Sequence, residues 1–136
     1  MVQRKLKKDR QEIQHILFAE SEHGLERSIS LMLKMANYKV TVVTDCLEAY
    51  EKLVELEGVG ELPELLIVDF GRNKANSERF VESLTQSRLS VPVIIIAEYG
   101  DEWMVAEGVL GKSGVFLAKP FEPQELMSAV EKLLSH

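Results

Sequence analysis

The sequence predicts an α/β fold, a single doubly wound (βα)5 domain in which five strands alternate with five helices around a parallel sheet. Two observations carry this. Continuous apolar runs recur along the chain, His15–Ala19, Leu65–Val68 and Val91–Ala97 among them, and continuity rather than alternation means that both sheet faces are covered. Between the runs lie stretches whose apolar residues repeat at helical spacing. Strict strand–helix alternation with right-handed crossovers then gives an open parallel sheet.

Taken in order, His15–Ala19 is the first strand. Leu25, Ile29, Met32 and Leu33 mark the first helix at i, i+4, i+7 and i+8. Val40–Thr44, rich in β-branched residues, is the second strand. Asp45 caps a helix carrying Leu47, Tyr50, Leu53 and Val54, which Gly58 and Gly60 end. Leu65–Val68 is the third strand, closed by Asp69. A polar loop from Gly71 to Asn76 leads to Ser77 as N-cap of a helix bearing Phe80, Val81 and Leu84. The fourth strand is Val91–Ala97, with Pro92 at its start, where a missing N–H is tolerated. Asp101 to Gly111 reads as a short helix with Trp103, Met104 and Ala106, and Val115–Ala118 as the fifth strand. Pro123 opens a last helix with Leu126, Val130, Leu133 and Leu134 on one face.

The 136 residues suit one domain, and 46% hydrophobic with 28% charged residues excludes disordered, collagenous and low-complexity classes. The net charge of −6 argues against direct nucleic-acid binding, which draws on Lys and Arg. Residues 1–14 stand apart as a basic extension of net +3, and residues 15–136 form the domain. One cysteine, Cys46, excludes an internal disulfide. No apolar run approaches the ~18 residues of a membrane span, and no secretory h-region follows the basic start. The expected location is the cytoplasm, away from membranes.

In such a sheet, ligands bind beyond the carboxyl ends of the strands. The first strand ends in Glu20-Ser21-Glu22, the third in Asp69, the fourth in Ala97-Glu98 and the fifth in Lys119. Singly, each has a plain structural reading: an N-cap for the acids and Ser21, a solvated cation for Lys119. Together they suit a hard cation, which takes oxygen ligands, and a carboxylate nucleophile toward a phosphoryl group. A cation and a lysine would offset the charge that otherwise repels it.

Four stretches in order resemble the receiver domain of bacterial response regulators, over almost all of residues 15–135. They are Ile16-Leu17-Phe18-Ala19-Glu20-Ser21-Glu22, Pro63-Glu64-Leu65-Leu66-Ile67-Val68-Asp69, Val91-Pro92-Val93-Ile94-Ile95-Ile96-Ala97 and Lys119-Pro120-Phe121. The resemblance implies strand order 2-1-3-4-5 and a phosphoryl group taken from a sensor histidine kinase or phosphotransfer protein with Mg²⁺. It implies Asp69 as phosphoacceptor. Glu20, Asp69 and the Gly71 backbone carbonyl would be metal ligands, and Lys119 the phosphate partner. Ala97 and Phe116 occupy the switch positions, and Lys119–Pro120 is a candidate cis bond. Output would pass through the fourth helix, fifth strand and fifth helix to a downstream protein or domain.

Departures from the family pattern weaken the site. The second acid of the usual pair is Ser21, a poorer Mg²⁺ ligand than a carboxylate, unless Glu22 or Glu98 supplies the charge. Ala97 replaces the usual Thr or Ser and has no donor. With Ala97 opposite, Phe116 has room to stay inward. The loop after Asp69 carries Arg72 and Lys74, which fit a solvated rim, and Trp103 suits either a partner surface or sheet packing. Two functions follow: a phosphorylatable receiver, or a degenerate one acting as a phosphorylation-independent interaction module. A flavin carrier of the same topology is disfavoured, because the acidic turn after the first strand does not cradle phosphate. No substrate-turnover motif is present, so the expected chemistry is self-modification rather than enzymatic turnover. A stand-alone regulator and the receiver part of a longer chain both fit the pattern.

Overall fold

The computed structural model describes residues 13–20, 23–71, 73–98, 100 and 114–134, with backbone only for 23–26. Five strands form one sheet: β1 (His15–Ala19), β2 (Lys39–Val43), β3 (Leu65–Asp69), β4 (Val93–Glu98) and β5 (Gly114–Lys119). Four helices are described: α1 (His23–Met35), α2 (Cys46–Gly58), α3 (Lys74–Gln86) and α4 (Pro123–Leu134). The sheet is parallel throughout, in the order β2-β1-β3-β4-β5. The predicted helix between Asp101 and Gly111 lies outside the described residues, as do Trp103, Arg72 and the charged part of the basic extension. Gln14, assigned to that extension, already joins the sheet, since its carbonyl accepts from the Lys39 N–H at 2.9 Å.

Each strand sends alternate side chains into two separate cores. On one face, Leu17, Leu66, Val68, Ile95 and Ala97 pack with Cys46, Ala49 and Leu53 of α2 and Phe80, Val81 and Leu84 of α3. On the other, Ile16, Phe18, Leu65, Ile67, Ile94 and Ile96 pack with Ile29 and Leu33 of α1 and Leu126, Val130 and Leu134 of α4. The three central strands are buried on both faces, as their continuous apolar runs require. The edge strand β2 is not: Val42 is exposed, and among the described residues no further strand pairs with that margin.

Helix ends follow local chemistry. Asp45 caps α2, accepting from the Glu48 N–H at 2.9 Å. Gly60 (φ +73°) and Asn37 (φ +74°) close α2 and α1 in matching left-handed turns. In each, the residue after the turn donates back to a carbonyl five residues earlier: Glu61 to Leu56 at 2.8 Å, and Tyr38 to Leu33 at 3.1 Å.

Two predicted details are corrected. Asn73, not Ser77, caps α3; its side chain accepts from the Asn76 N–H at 3.0 Å. The helix therefore starts four residues early, and Ser77 lies buried inside it, with its hydroxyl 3.4 Å from the Asn73 carbonyl. In α2, Val54 faces solvent, while Cys46 and Ala49 join Leu53 in the core. Cys46, Ala49 and Leu53 define the buried stripe, and Val54, one residue after Leu53, is turned about 100° away from it. Among the described residues no helix is long and apolar enough to cross a membrane.

Candidate functional site

The carboxyl ends of β1, β3, β4 and β5 meet at one rim, and strand alternation decides what they present there. Asp69 continues the Leu65–Ile67 row, Lys119 the Val115–Leu117 row and Glu98 the Ile94–Ile96 row, so these charged residues share the α1/α4 face. Glu20, one residue past β1, follows Ile16 and Phe18 and is held by its N–H bond to the Val43 carbonyl at 3.2 Å.

Asp69 is almost wholly buried, and so is Glu20, at 1% and 3% exposure. Burying a carboxylate is costly unless an opposite charge compensates. Lys119 does this: its Nζ lies 2.7 Å from Asp69 Oδ1, with 17% of the lysine side chain exposed and none of the aspartate's. The contact is an ion pair rather than a directed hydrogen bond, and neither Asp69 oxygen has a hydrogen-bond partner among the described residues. The carboxylate thus retains lone pairs for a further electrophile or cation. The Lys119–Pro120 peptide is cis. Glu98 is exposed and pairs in register with Lys119. Together with Pro120 and Phe121 they line a cavity of about 400 Å³.

The other predicted positions separate. Ala97 and Phe116 point to the opposite face, where Ala97 is fully buried and Phe116 packs half-buried against the same cluster. Gly71 is exposed just beyond β3. Ser21 and Glu22 lie outside the described residues. Among the described residues no group of three or more His, Cys, Asp and Glu is placed to hold a metal ion, and Glu20 and Asp69 are the two buried acids. Sequence reading gave Phe121 no part in the site. Its place next to Lys119 and Pro120 was the available signal.

A five-stranded parallel sheet in the order 2-1-3-4-5, with a buried Asp–Lys pair at its carboxyl rim, defines a flavodoxin-like α/β domain. The response regulator receiver domain model matches residues 16–131, and the chain belongs to that family. It is 27% identical over 123 residues to response regulator Rre1 of Synechocystis, covering 88% of this chain and 51% of that protein. It is 22% identical over 119 residues to chemotaxis protein CheY of Thermotoga maritima, covering 87% and 95%. The chain spans about half the length of the first curated relatives it matches. A response regulator structure from Chloroflexus aurantiacus superposes with TM-score 0.73 at 25% identity, covering 92% of this chain and all of that one. The receiver domain of a Pseudomonas aeruginosa sensor histidine kinase, solved with a magnesium ion coordinated in its active site cleft, shares the fold at TM-score 0.64 and 23% identity, with 92% and 100% coverage.

Proposed function

We propose that this receiver accepts a phosphoryl group on Asp69 from a phosphohistidine of a sensor histidine kinase or phosphotransfer protein. The observation that carries the reading is the buried Asp69 carboxylate, held at Oδ1 by Lys119, with Oδ2 lacking a hydrogen-bond partner among the described residues. An Asp69 oxygen attacks phosphorus and a P–O bond forms. The P–N bond to the donor imidazole breaks and its electron pair goes to the ring nitrogen; the ring leaves as neutral imidazole because its other nitrogen already carries a proton or the leaving nitrogen takes one from water. Lys119, already at the carboxylate, moves its charge onto the phosphoryl oxygens. The chain changes only itself, so it is a phosphoacceptor and not a turnover enzyme.

The donor set fits a divalent cation, because buried carboxylate oxygens are what a hard cation takes. Asp69 and Glu20 would hold Mg²⁺ with the Gly71 carbonyl; the Pseudomonas receiver domain was solved with a magnesium ion coordinated in its active site cleft. Bound there, the cation supplies neutralisation of charge between carboxylate and phosphoryl group. Ser21 in place of a second acid makes the site weaker. The signal would leave through β5 and the helices flanking it toward an output protein or domain, in the cytoplasm and without direct nucleic-acid contact by this domain.

A second reading, a degenerate receiver that works as a phosphorylation-independent interaction module, is favoured by Ala97. It is fully buried and offers no hydroxyl to a phosphoryl oxygen. Intact mass after incubation with acetyl phosphate and Mg²⁺ separates the two. An adduct present in the wild type and lost in Asp69→Asn supports the acceptor. An adduct that survives the substitution overturns it, and no adduct in either protein favours the module.

A further inference from the structure

Glu98 and Lys119 are register partners on adjacent parallel strands, so their side chains leave the same face of the sheet at the same level. They diverge from there. Lys119 turns inward to Asp69 at 2.7 Å and keeps only 17% of its side chain exposed. Glu98 stays at the surface and lines the same cavity, with Pro120 and Phe121 forming its apolar wall. No hydrogen bond or ion pair joins the Glu98 side chain to any described residue. Its charge therefore does no structural work among them, and it shares a cavity with the lysine that an incoming anion must reach. A fixed charge at a cleft mouth with low-dielectric walls raises the local level of opposite ions and depletes like ones.

We propose that Glu98 is an anion screen beside the Asp69–Lys119 pair. It weakens capture of small free phosphoryl compounds by Asp69 and Lys119, and so selects for a phosphoryl group delivered on a protein. A docking protein draws its affinity from contacts elsewhere on the surface, and a single rim charge costs it proportionally less. The proposal rests on the acceptor reading of Asp69 and adds donor selectivity to it.

The test uses beryllofluoride with Mg²⁺, titrated by calorimetry into the wild type, Glu98→Gln and Glu55→Gln. The last removes the same net charge from α2, away from the pocket. One unit charge several ångströms from the anion at a solvated rim corresponds to about a fivefold change in affinity. Glu98→Gln is therefore expected to bind beryllofluoride about fivefold more tightly at low salt and to form the acetyl phosphate adduct correspondingly faster. Glu55→Gln should match the wild type. In 0.5 M NaCl the gain should shrink below about twofold, because screening acts over a few ångströms. Equal affinity of Glu98→Gln and wild type at low salt overturns the screen while leaving the acceptor in place. An equal gain in Glu55→Gln does the same, since the effect would then be one of net charge. If none of the three proteins binds beryllofluoride or forms an adduct, the acceptor reading falls and the screen falls with it.

Discussion

Lys119 and Asp69 sit on strands that do not touch. β4 runs between β3 and β5, yet the Lys119 ammonium lies 2.7 Å from Asp69 Oδ1. The long lysine side chain crosses the end of the intervening strand, where Asp69 is in register with Ile96 and Lys119 with Glu98. The ion pair thereby clamps the carboxyl rim across three strands and supplies the compensation that the buried carboxylate requires.

Lys119→Met should therefore destabilise the domain by about 3 kcal/mol, because breaking one side of a buried pair strands the other charge. In the Asp69→Asn background the same change should cost far less. Urea denaturation of the four proteins gives the coupling energy, expected at about 1–3 kcal/mol. Additive effects would mean that the pair does not couple.

If the absent hydroxyl is what weakens the site, Ala97→Thr should strengthen beryllofluoride binding by about 10-fold or more, although position 97 faces the other core, since a hydrogen bond to a charged group contributes about 1.5–3 kcal/mol. The site is fully buried, so the added atoms should also lower stability by about 1–3 kcal/mol. Calorimetric titration and thermal unfolding read the two effects separately. A variant of unchanged affinity would show that the absent hydroxyl is not what weakens the site.

Asn73→Ala should cost about 1 kcal/mol, as loss of an N-cap does. Ser77→Ala removes only a long 3.4 Å contact to the Asn73 carbonyl and should cost less. Urea midpoints of the two variants, measured side by side, decide which residue starts α3.

His15 should make the domain less stable in mild acid. Burial first, and then the nearby Lys39, hold its pKa below the ordinary 6.5, and its ring Nε2 lies 2.7 Å from Thr41 Oγ1. As pH falls through 6.5, the unfolded chain takes up the proton before the folded one, so stability drops. His15→Asn should narrow the difference in urea midpoint between pH 7.5 and pH 5.5. An unchanged difference would assign the acid sensitivity to other groups.

Cys46 should resist alkylation in the native protein at pH 8 and react once denatured. Burial, followed by the neighbouring Asp45 carboxylate, pushes its thiol from 9.0 up to about 11. Between these values the unfolded chain loses its proton first, so the thiol's contribution to stability declines as pH rises. Mass spectrometry after timed iodoacetamide treatment checks the first point, and thermal unfolding from pH 8 to 10.5 the second.

Much of the fold was legible along the chain because its signals are local. Apolar runs such as Leu65–Val68 can be satisfied only between two covered faces, and Asp45 caps the nearest backbone N–H groups whatever the rest of the chain does. The reactive candidates Asp69 and Lys119 were legible too, as polar residues ending apolar strands. Two neighbouring caps were not separable in this way. Asn73 and Ser77 both carry a suitable oxygen, and only the packing of α3, which buries Ser77, chooses Asn73. Val54 was misplaced for the same kind of reason, since helical spacing defines a face but not its rotation against the sheet. What tertiary structure alone decided is which charges meet. Strand order and register bring Asp69 and Lys119 together from positions 50 residues apart in sequence, set Glu98 beside Lys119, and turn Ala97 and Phe116 to the opposite face. Sequence carries the residue types because local hydrogen bonding and hydrophobic burial act on near neighbours. Distances between charges arise only when the sheet closes, because they depend on contacts that no local segment contains.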